Sequence, residues 1–500
     1  EKVYQEYLRG TDGARRVEVD SRGRPIRELV TLEPKAGNNL VLTLDRDLQQ
    51  VMENSMDEVL AQVQTRNPKA KAGSCVLIDV KTGGILAMTS RPSMNPNDFT
   101  TNMDRATLNY YFPQGNYDPL NPGAATNRAI QALYPPGSTF KPVTGMAALL
   151  SGVIDPVNDY VNCPGRYWIA PYIACTGVHG NVNYYSGMAH SCNTYFQEIA
   201  RRTGKDEIIR TAQLFGLGQR TGVDLPGESA GLVPTPEWKK ETNAAIINRQ
   251  YEYQKQQLQE KYDKLLAQAE NEAERKKLEK QKQSEENKIQ SQYQIRYNYD
   301  TVWQSFDTFN MSIGQGANQY TVIQLANYTA AMANGGKLMK PHLVKEITSS
   351  LGKVIKKVKP EMIRDTQVPS DILAETKHAM LQVTQPGGTA AFLFAGFPPE
   401  VQVAAKTGTA QTGRVGDISL KEFHGVFIAF APVENPQVAF AGVVEYGQHG
   451  SESAGWVAKS VFEQYFGIVD HYSAIIKQNK AQETALKGES PKFASNGNGE

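Results

Sequence analysis

The sequence Y-P-P-G-S-T-F-K-P, from Tyr134 to Pro142, joins a chain-stopping Pro-Pro-Gly to an apolar segment. The prolines and the glycine predict a helix that begins at Ser138. Ser138 and Lys141 are three residues apart, so on a helix both side chains lie on one face. Taken alone, the pair leaves two interpretations open. Serine is a common helix cap, but a serine beside an uncharged lysine is an activated nucleophile.

Two downstream motifs favour the nucleophile. Ser191-Cys192-Asn193 follows the first motif, and Lys406-Thr407-Gly408-Thr409 comes shortly before a late pair of apolar segments. S-x-x-K, S-D-N and K-T-G in this order are the signature of serine enzymes that react with β-lactams. An earlier K-T-G, at Lys81 to Gly83, lies between two strand-like segments. We therefore interpret that earlier copy as a turn.

Apolar segments near both ends of the chain predict one sheet. C-V-L-I-D-V and I-L-A-M-T-S flank the turn at Lys81, and a late pair of segments turns at Glu434-Asn435-Pro436. Helix-like segments lie between these two hairpins. The pattern predicts an α/β layered domain with a central, mostly antiparallel sheet flanked by helices.

The chain has 500 residues, 40% of them hydrophobic and 21% charged, and a formal net charge of +1. This composition is typical of a soluble globular protein and gives no global field that favours nucleic acid. We expect a main domain at 41–470, a polar remnant or linker at 1–40 and a polar, disordered tail at 471–500. Residues 239–300 lack glycine and proline and predict a helical insertion, which is either a solvated helix or a partner-binding coiled coil.

The combined motifs resemble the class B penicillin-binding proteins, and within them penicillin-binding protein 2 of the cell-elongation type. The resemblance covers nearly the whole chain except the insertion and the tail. It implies the penicillin-recognising serine-transpeptidase fold, with an all-α subdomain and a partial N-terminal pedestal. The segments that carry it are Y-L-R-G-T-D-G-A-R-R-V-E-V-D, L-T-L-D-R-D-L-Q, P-P-G-S-T-F-K-P, P-T-P-E-W-K-K, N-M-S-I-G-Q-G, M-A-N-G-G, G-G-T-A and A-A-K-T-G-T-A.

This resemblance implies a D,D-transpeptidase that cross-links peptidoglycan stem peptides and is acylated by β-lactams. Ser138 would be the nucleophile and Lys141 its base. Ser191 would relay a proton to the leaving amine, and Asn193 would hold the substrate amide. A D,D-carboxypeptidase, a β-lactamase and a non-catalytic β-lactam sensor are the rival functions.

The resemblance gives the third motif a binding role. Lys406 would lower the pKa of Lys141 and attract the substrate carboxylate. Thr407 and Thr409 would hydrogen-bond that carboxylate, and the backbone N–H of Thr409 would help to hold the oxyanion. Gly408 would let the substrate lie against the strand edge.

Location and partners are also expected from the family. The protein would work at the extracytoplasmic face of the bacterial membrane, anchored by an N-terminal segment that this chain lacks. A glycan-polymerising SEDS protein and elongation-complex proteins are the expected partners. Neither an organic cofactor nor a nucleic-acid partner is expected.

A group of cysteines surrounds the second motif. Cys163, Cys175, His179 and Cys192 follow the pattern C-x11-C-x3-H-x12-C, and three thiols with one imidazole suit a structural zinc ion. Around the second motif the chain resembles those members of the family that bind zinc through the middle residue of this motif, and the resemblance implies zinc here. His190 is a rival ligand, and a Cys163–Cys175 disulfide or unlinked cysteines are the alternatives to zinc. Cys75, in an apolar segment, is expected to be inert core.

Overall fold

The computed structural model describes residues 2–100, 102–414, 416–417 and 420–468, so the predicted tail at 471–500 lies outside the described residues. Its α-helices are α1 (Gln5–Leu8), α2 (Arg46–Gln64), α3 (Arg105–Tyr111), α4 (Lys141–Leu150), α5 (Tyr184–Ala189), α6 (Asn193–Thr203), α7 (Lys205–Leu214), α8 (Pro236–Gln268), α9 (Glu272–Asp300), α10 (Ser305–Ser312), α11 (Val322–Ala333), α12 (Ser370–Leu381), α13 (Ala391–Phe394) and α14 (Ala454–Phe466). Its strands are β1 (Ala14–Val19), β2 (Pro25–Leu32), β3 (Asn39–Leu42), β4 (Gly73–Asp79), β5 (Ile85–Arg91), β6 (Val161–Cys163), β7 (Gly180–Val182), β8 (Lys337–Met339), β9 (Val344–Thr348), β10 (Val354–Lys357), β11 (Met362–Asp365), β12 (Ala404–Gln411), β13 (Phe423–Ala431) and β14 (Val438–Val444).

A five-stranded antiparallel sheet forms the centre of the fold. Its strand order is β12-β13-β14-β4-β5, so the two predicted hairpins from opposite ends of the chain meet in one sheet. The early K-T-G lies in the turn between β4 and β5, where Gly83 has a φ of +79°. The predicted central antiparallel sheet is confirmed. Strand β12, which carries the third motif, is at the edge of the sheet.

Helices cover both faces of this sheet. Val76 and Ile78 belong to one buried core, with α4 and α11, whereas Cys75 and Leu77 belong to a second core, with α2 and α14. This alternation follows from the two-residue period of a strand. Cys75 is fully buried, and burial raises the pKa of its thiol well above the ordinary value, as expected for inert core. The layered α/β prediction is confirmed.

A helical group lies beside the sheet and carries the first two motifs. Helix α4 packs against α6, α7 and α12, and α6 also packs against α10. The first motif leads into α4, and the second motif leads into α6. The motifs therefore meet where this helical group borders strand β12.

Two further parts extend from the domain. Helices α8 and α9 pack together as a hairpin, held by a Lys261–Glu285 ion pair of 2.8 Å and by the Tyr251 and Tyr293 rings, whose centroids are 4.3 Å apart. Near the N-terminus, β1 and β2 form a separate hairpin, while β3 pairs with β9. Among the described helices, none combines the length and the apolar character that a bilayer span requires.

Candidate active site

Ser138 lies in a tight turn that fits closely against strand β12. The α-helix predicted to begin at Ser138 begins at Lys141, and Gly137–Phe140 form a 3₁₀ turn before it. Pro142 has no N–H to donate to the Ser138 carbonyl, which instead accepts from the Lys141 N–H, so the turn is tightened. Gly137 has a φ of +54°, and a Cβ there would lie 2.7 Å from the Thr409 carbonyl oxygen.

Two buried lysine amines converge on Ser191. Lys141 Nζ donates to the Ser191 carbonyl oxygen at 2.6 Å and to Asn193 Oδ1 at 2.7 Å, and lies 3.2 Å from Ser191 Oγ. Lys406 Nζ lies 2.9 Å from Ser191 Oγ and 3.0 Å from the Thr407 carbonyl oxygen. Both lysine side chains have no exposed surface. Five side chains were given roles around the reacting serine, namely those of Ser138, Lys141, Ser191, Asn193 and Lys406, and the structure brings the last four into one hydrogen-bonded cluster.

The hydroxyl of the fifth group, Ser138, is outside this cluster. No hydrogen bond among the described residues involves it, and the residue is only half-buried. Ser138 and Lys141 nevertheless follow each other at a spacing of three across a 3₁₀ turn, in which such side chains eclipse. Apo sites often leave catalytic hydrogen bonds long or open until substrate binds. The half-buried Ser138 hydroxyl is thus open to an incoming carbonyl carbon.

Burial sets the electrostatics of the two lysines. It lowers the pKa of Lys141 to about 8, against the opposing charges of the nearby cysteine thiols. Burial first, and the charge of Lys141 second, hold the pKa of Lys406 well below the ordinary lysine value. We predicted that Lys406 lowers the pKa of Lys141, but burial is the cause that lowers it, and the charge effect runs from Lys141 to Lys406. Both amines therefore lose their proton more readily than the amine of an exposed lysine does.

The third motif is held by residues that sequence reasoning missed. Thr407 Oγ1 lies 2.9 Å from Thr389 Oγ1, and Thr409 Oγ1 lies 3.0 Å from His449 Nδ1. Thr389 belongs to the G-G-T-A segment that carried the resemblance, so a signal for it existed. His449 stands in no motif that we identified.

Gly408 has a packing role that differs from the expected one. A Cβ at this position would lie 2.8 Å from the Pro136 carbonyl oxygen and 3.0 Å from the Thr139 methyl group. The turn that carries Ser138 thus occupies the space beside Gly408. Glycine is needed there for contact between the first and third motifs, in addition to any role in admitting substrate.

We expected the second motif to be an extended loop in which Ser191 and Asn193 face one way and Cys192 the other. The observed backbone is different. Ser191 adopts a left-handed conformation with a φ of +56°, Cys192 caps α6, and Asn193 is the first residue of that helix. This kink between α5 and α6 directs Ser191 and Asn193 towards Lys141, while Cys192 Sγ lies on the other side, near Cys175 Sγ. Ser191 and Asn193 thus face one way and Cys192 the other, as expected, but the cause is the left-handed conformation of Ser191 and not an extended loop.

Gln315 joins the site from the N-M-S-I-G-Q-G segment. Its Nε2 donates to the Thr409 carbonyl oxygen at 3.1 Å, and its Oε1 accepts from the Gln411 N–H at 3.4 Å. The neighbouring Gly314 accepts a 2.9 Å hydrogen bond from the Gly137 N–H. The segment was noted only as part of the resemblance, and its contact with the edge of β12 was not predicted.

The predicted cysteine and histidine ligands lie together next to the second motif. The ligand atoms of Cys163, Cys175, His179 and Cys192 all lie within 4.8 Å of one another. His179 Nδ1 is 3.6 Å from Cys163 Sγ and 3.5 Å from Cys175 Sγ, and Cys175 Sγ is 3.9 Å from Cys192 Sγ. A tetrahedral zinc with ordinary bond lengths requires edges of about 3.8 Å between sulfurs and about 3.5 Å between sulfur and nitrogen. The spacing of the donor set fits that geometry.

The disulfide and the rival ligand His190 are less consistent with the structure, whereas unlinked thiols agree with it as zinc ligands do. All four cysteines of the chain are free thiols, so the Cys163–Cys175 disulfide is absent from the described residues. His190 stacks on the His179 ring, with centroids 5.7 Å apart, and is not a member of the cluster. The Asn193 N–H donates to Cys175 Sγ at 3.2 Å, an interaction that stabilises a thiolate.

Comparisons with known proteins show the family to which this chain belongs. The family model described as "Penicillin binding protein transpeptidase domain" matches residues 73–466, and "Penicillin-binding Protein dimerisation domain" matches residues 1–42. The "Peptidoglycan D,D-transpeptidase MrdA" of Acinetobacter baumannii is 33% identical over 485 residues, which are 93% of this chain and 59% of that protein. The chain spans about three fifths of the length of the curated relatives it matches.

Solved structures extend the likeness to three dimensions. One, described as "Structural coordination of polymerization and crosslinking by a peptidoglycan synthase complex", has a TM-score of 0.71 and 28% identity, covering 94% of this chain and 70% of that chain. Another, of a complex between Penicillin-Binding Protein (PBP2) and MreC from Helicobacter pylori, has a TM-score of 0.67 and 25% identity, covering 93% and 71%. The chain therefore belongs to the penicillin-binding proteins, and within them to the class B transpeptidases of the PBP2 type.

Proposed function

We propose that this chain is the catalytic part of a peptidoglycan D,D-transpeptidase that cross-links stem peptides in cell-wall elongation. The observation that carries the proposal is the convergence of two buried lysine amines on Ser191 next to the turn of Ser138. Burial lowers the pKa of an amine, so more of its neutral, proton-accepting form is present near neutral pH than in an exposed lysine. A base of this kind is what a serine hydroxyl needs to become a nucleophile.

Acylation begins at Ser138. Its Oγ forms a bond to the carbonyl carbon of the penultimate D-alanine, and its proton moves to neutral Lys141. The oxyanion of the tetrahedral intermediate accepts hydrogen bonds from the backbone N–H groups of Ser138 and Thr409. When the intermediate collapses, the C–N bond breaks, and the terminal D-alanine leaves as an amine after it receives a proton through Ser191.

Deacylation by an amine completes the cross-link. The amine of a second stem peptide attacks the ester carbon, its proton passes to the lysine cluster, and the C–O bond to Ser138 breaks. The ester carbon thus becomes an amide, and the serine is regenerated. A β-lactam reaches the same ester by opening its ring, so its leaving amine stays attached and the acyl-enzyme persists.

The third motif supplies the binding site for the terminal carboxylate. The hydroxyls of Thr407 and Thr409 lie on strand β12, on either side of Gly408, and can donate hydrogen bonds to it. Lys406 adds a donor next to Ser191. Asn193, whose Oδ1 already accepts from Lys141, offers its amide group to the peptide.

We also infer that Cys163, Cys175, His179 and Cys192 hold a structural zinc ion, for which the donor spacing described above is the support. The bound ion would supply a cross-link among three chain segments and no chemistry of its own. Cys192 lies between Ser191 and Asn193, so the cluster anchors the loop of the second motif.

Metal content and stability test the zinc inference. The purified chain should contain one zinc ion, and Cys192→Ala should lose it and unfold at a lower temperature. Cys75→Ala is the matched control, because Cys75 is buried outside the cluster and its loss should leave the metal in place. A chain purified without zinc, or a Cys192→Ala variant that retains both metal and acylation rate, would contradict the inference.

Partners and location follow from the relatives. Solved structures similar to this chain include a peptidoglycan synthase complex and a PBP2–MreC complex. We infer that the whole protein works at the extracytoplasmic face of the membrane with a SEDS glycan polymerase and elongation-complex proteins. Co-purification of the whole protein with such a polymerase from membranes tests this, and a soluble, solitary protein would contradict it.

Labelling and product analysis test the transpeptidase itself. A fluorescent penicillin should label the chain at Ser138, and Lys141→Met should fold but acylate roughly a hundred- to ten-thousand-fold more slowly. A D-Ala-D-Ala donor with an acceptor amine should give a cross-linked product. Release of D-alanine without cross-linking would favour the carboxypeptidase, rapid loss of the label would favour a β-lactamase, and a stable label without either peptide product would favour the sensor.

A further inference from the structure

Gln315 covers the free edge of strand β12 immediately beyond the proposed oxyanion site. Its side-chain amide donates to the Thr409 carbonyl oxygen at 3.1 Å and accepts from the Gln411 N–H at 3.4 Å. These two backbone groups are two residues apart in an edge strand, so they point to the same side, away from β13. The amide of Gln315 therefore lies where the backbone of an added strand would pair.

A donor peptide would need the same two backbone groups. In an antiparallel pair, two opposite residues exchange both of their N–H···O=C hydrogen bonds. If the Thr409 N–H binds the scissile carbonyl oxygen, the N–H of that same substrate residue points at the Thr409 carbonyl oxygen. The next pair along the strand places a substrate carbonyl oxygen opposite the Gln411 N–H. Gln315 occupies both of these positions.

The backbone of Gln315 is fixed, so only its side chain is free to move. Its N–H donates to the Asn310 carbonyl oxygen at 2.9 Å, and its carbonyl oxygen accepts from Asn318 Nδ2 at 2.9 Å. Gly314 is wedged against the turn of Ser138, where an added Cβ would lie 2.0 Å from the Gly137 carbonyl oxygen. A change in the position of the amide must therefore come from rotation of the side chain.

A cavity next to Gln315 gives the side chain a place to rotate into. The cavity has a volume of about 310 Å³. Its lining includes Tyr134, Pro135, Gln319, Gln411 and Tyr446, together with Gln315 itself. A volume of this size accepts a side-chain amide without displacing the backbone around it. The hydroxyl oxygens of its tyrosines can accept a hydrogen bond from the amide once it has turned away from β12, and its glutamine amides can pair with it.

We propose that Gln315 is a substrate-mimicking positioning residue: its amide pairs with the free edge of β12 in the resting protein, and it turns aside when the backbone of a donor peptide pairs there. The proposal rests on the proposed transpeptidase function. It predicts a selectivity between acyl donors. A donor that presents an N–H to the Thr409 carbonyl oxygen must displace the amide, whereas a donor without that N–H acylates Ser138 with the amide in place.

Acylation kinetics of Gln315→Ala test this with two β-lactams. A penicillin with an acylamino side chain carries the relevant N–H, and a carbapenem, with a hydroxyethyl group in its place, does not. We expect the second-order rate constant for the penicillin to rise about three- to ten-fold, the worth of one or two modest hydrogen bonds no longer broken. The constant for the carbapenem should change by less than about two-fold. A merely structural role would shift both probes together.

The chain offers a matched control and an independent measurement. Gln319→Ala removes the same kind of side chain from the lining of the same cavity, and it should leave both constants unchanged. In a crystal structure of the penicillin acyl-enzyme, Gln315 Nε2 should lie more than 4 Å from the Thr409 carbonyl oxygen. Equal or slower acylation of Gln315→Ala by the penicillin, or an amide still bonded to Thr409 in the acyl-enzyme, would overturn the proposal. If the unmodified chain is not acylated at all, the proposed function itself fails, which is a separate outcome.

Discussion

The pH dependence of acylation tests whether neutral Lys141 takes the proton from Ser138. Burial disfavours the charged amine and lowers its pKa to about 8. The neutral fraction of a group with this pKa is roughly 9% at pH 7, roughly 50% at pH 8 and roughly 91% at pH 9. Because only the neutral amine accepts the proton, the acylation rate constant should rise with pH. The rate constant should rise about ten-fold between pH 6 and pH 7, and about ten-fold more between pH 7 and pH 9.

The assay is single-turnover acylation by a fluorescent penicillin at constant ionic strength. The thermal unfolding temperature, measured over the same pH range, separates a change in base protonation from a loss of the folded state. Lys141→Met supplies the control, because its residual rate should show no inflection near pH 8. Methionine has about the length of the lysine stem and no titrating group, so it keeps the buried side chain filled.

Three results would refute the reasoning. A flat profile between pH 6 and pH 9 would mean that Lys141 is not the group whose protonation limits acylation. An inflection near pH 10 would mean that the amine titrates like an exposed lysine, so that burial does not control it. An inflection near pH 8 that persists in Lys141→Met would assign the titration to another group.

Two further substitutions test the packing around the site by thermal unfolding and penicillin labelling. Gly314→Ala should lower the free energy of unfolding by roughly 3 kcal/mol or more, because φ is +70° and the new Cβ would lie 2.0 Å from a carbonyl oxygen. Gly335→Ala is the control: its φ is +65° and nothing lies within 4 Å, so it should cost only about 1 kcal/mol. Equal losses of stability in the two variants would contradict the steric argument. Glu445→Gln should cost roughly 3–5 kcal/mol, because it leaves Arg128, 2% exposed, without its carboxylate at 3.2 Å. The exposed Glu452→Gln should cost less than about 0.5 kcal/mol, and a similar value for Glu445→Gln would show that the buried pair is dispensable.

The sequence predicted those parts of the site that depend on short spacings. Ser138 and Lys141 are three residues apart, so any helical turn places them together. The sheet was predictable because apolar segments need covered faces, and the β4–β5 hairpin joins the β13–β14 hairpin through the pairing of β4 with β14. Local chemistry also identified the turn at the early K-T-G, where a glycine has a positive φ.

Contacts between distant segments of the chain could not be predicted from the sequence in this way. Gln315 bonds to strand β12 across 94 residues of sequence, and Thr409 bonds to His449 across 40. Neither pair has a spacing rule, because the contact arises only when two elements pack against each other. Helix α4 shows the same limit locally, since the missing N–H of Pro142 moved its start to Lys141.

The left-handed backbone conformation of Ser191 shows how the cysteine cluster stabilises the second motif. A non-glycine residue at a φ of +56° costs on the order of 1–2 kcal/mol, so surrounding contacts must hold it. The residues that follow it provide those contacts: the Asn193 N–H donates to Cys175 Sγ at 3.2 Å, and the Tyr195 N–H donates to Cys192 Sγ at 3.4 Å. Sulfur atoms thus fix the first turn of α6. Because Ser191 is the residue on which both lysine amines converge, the geometry of the proposed proton relay depends on sulfur contacts made on the opposite side of its loop.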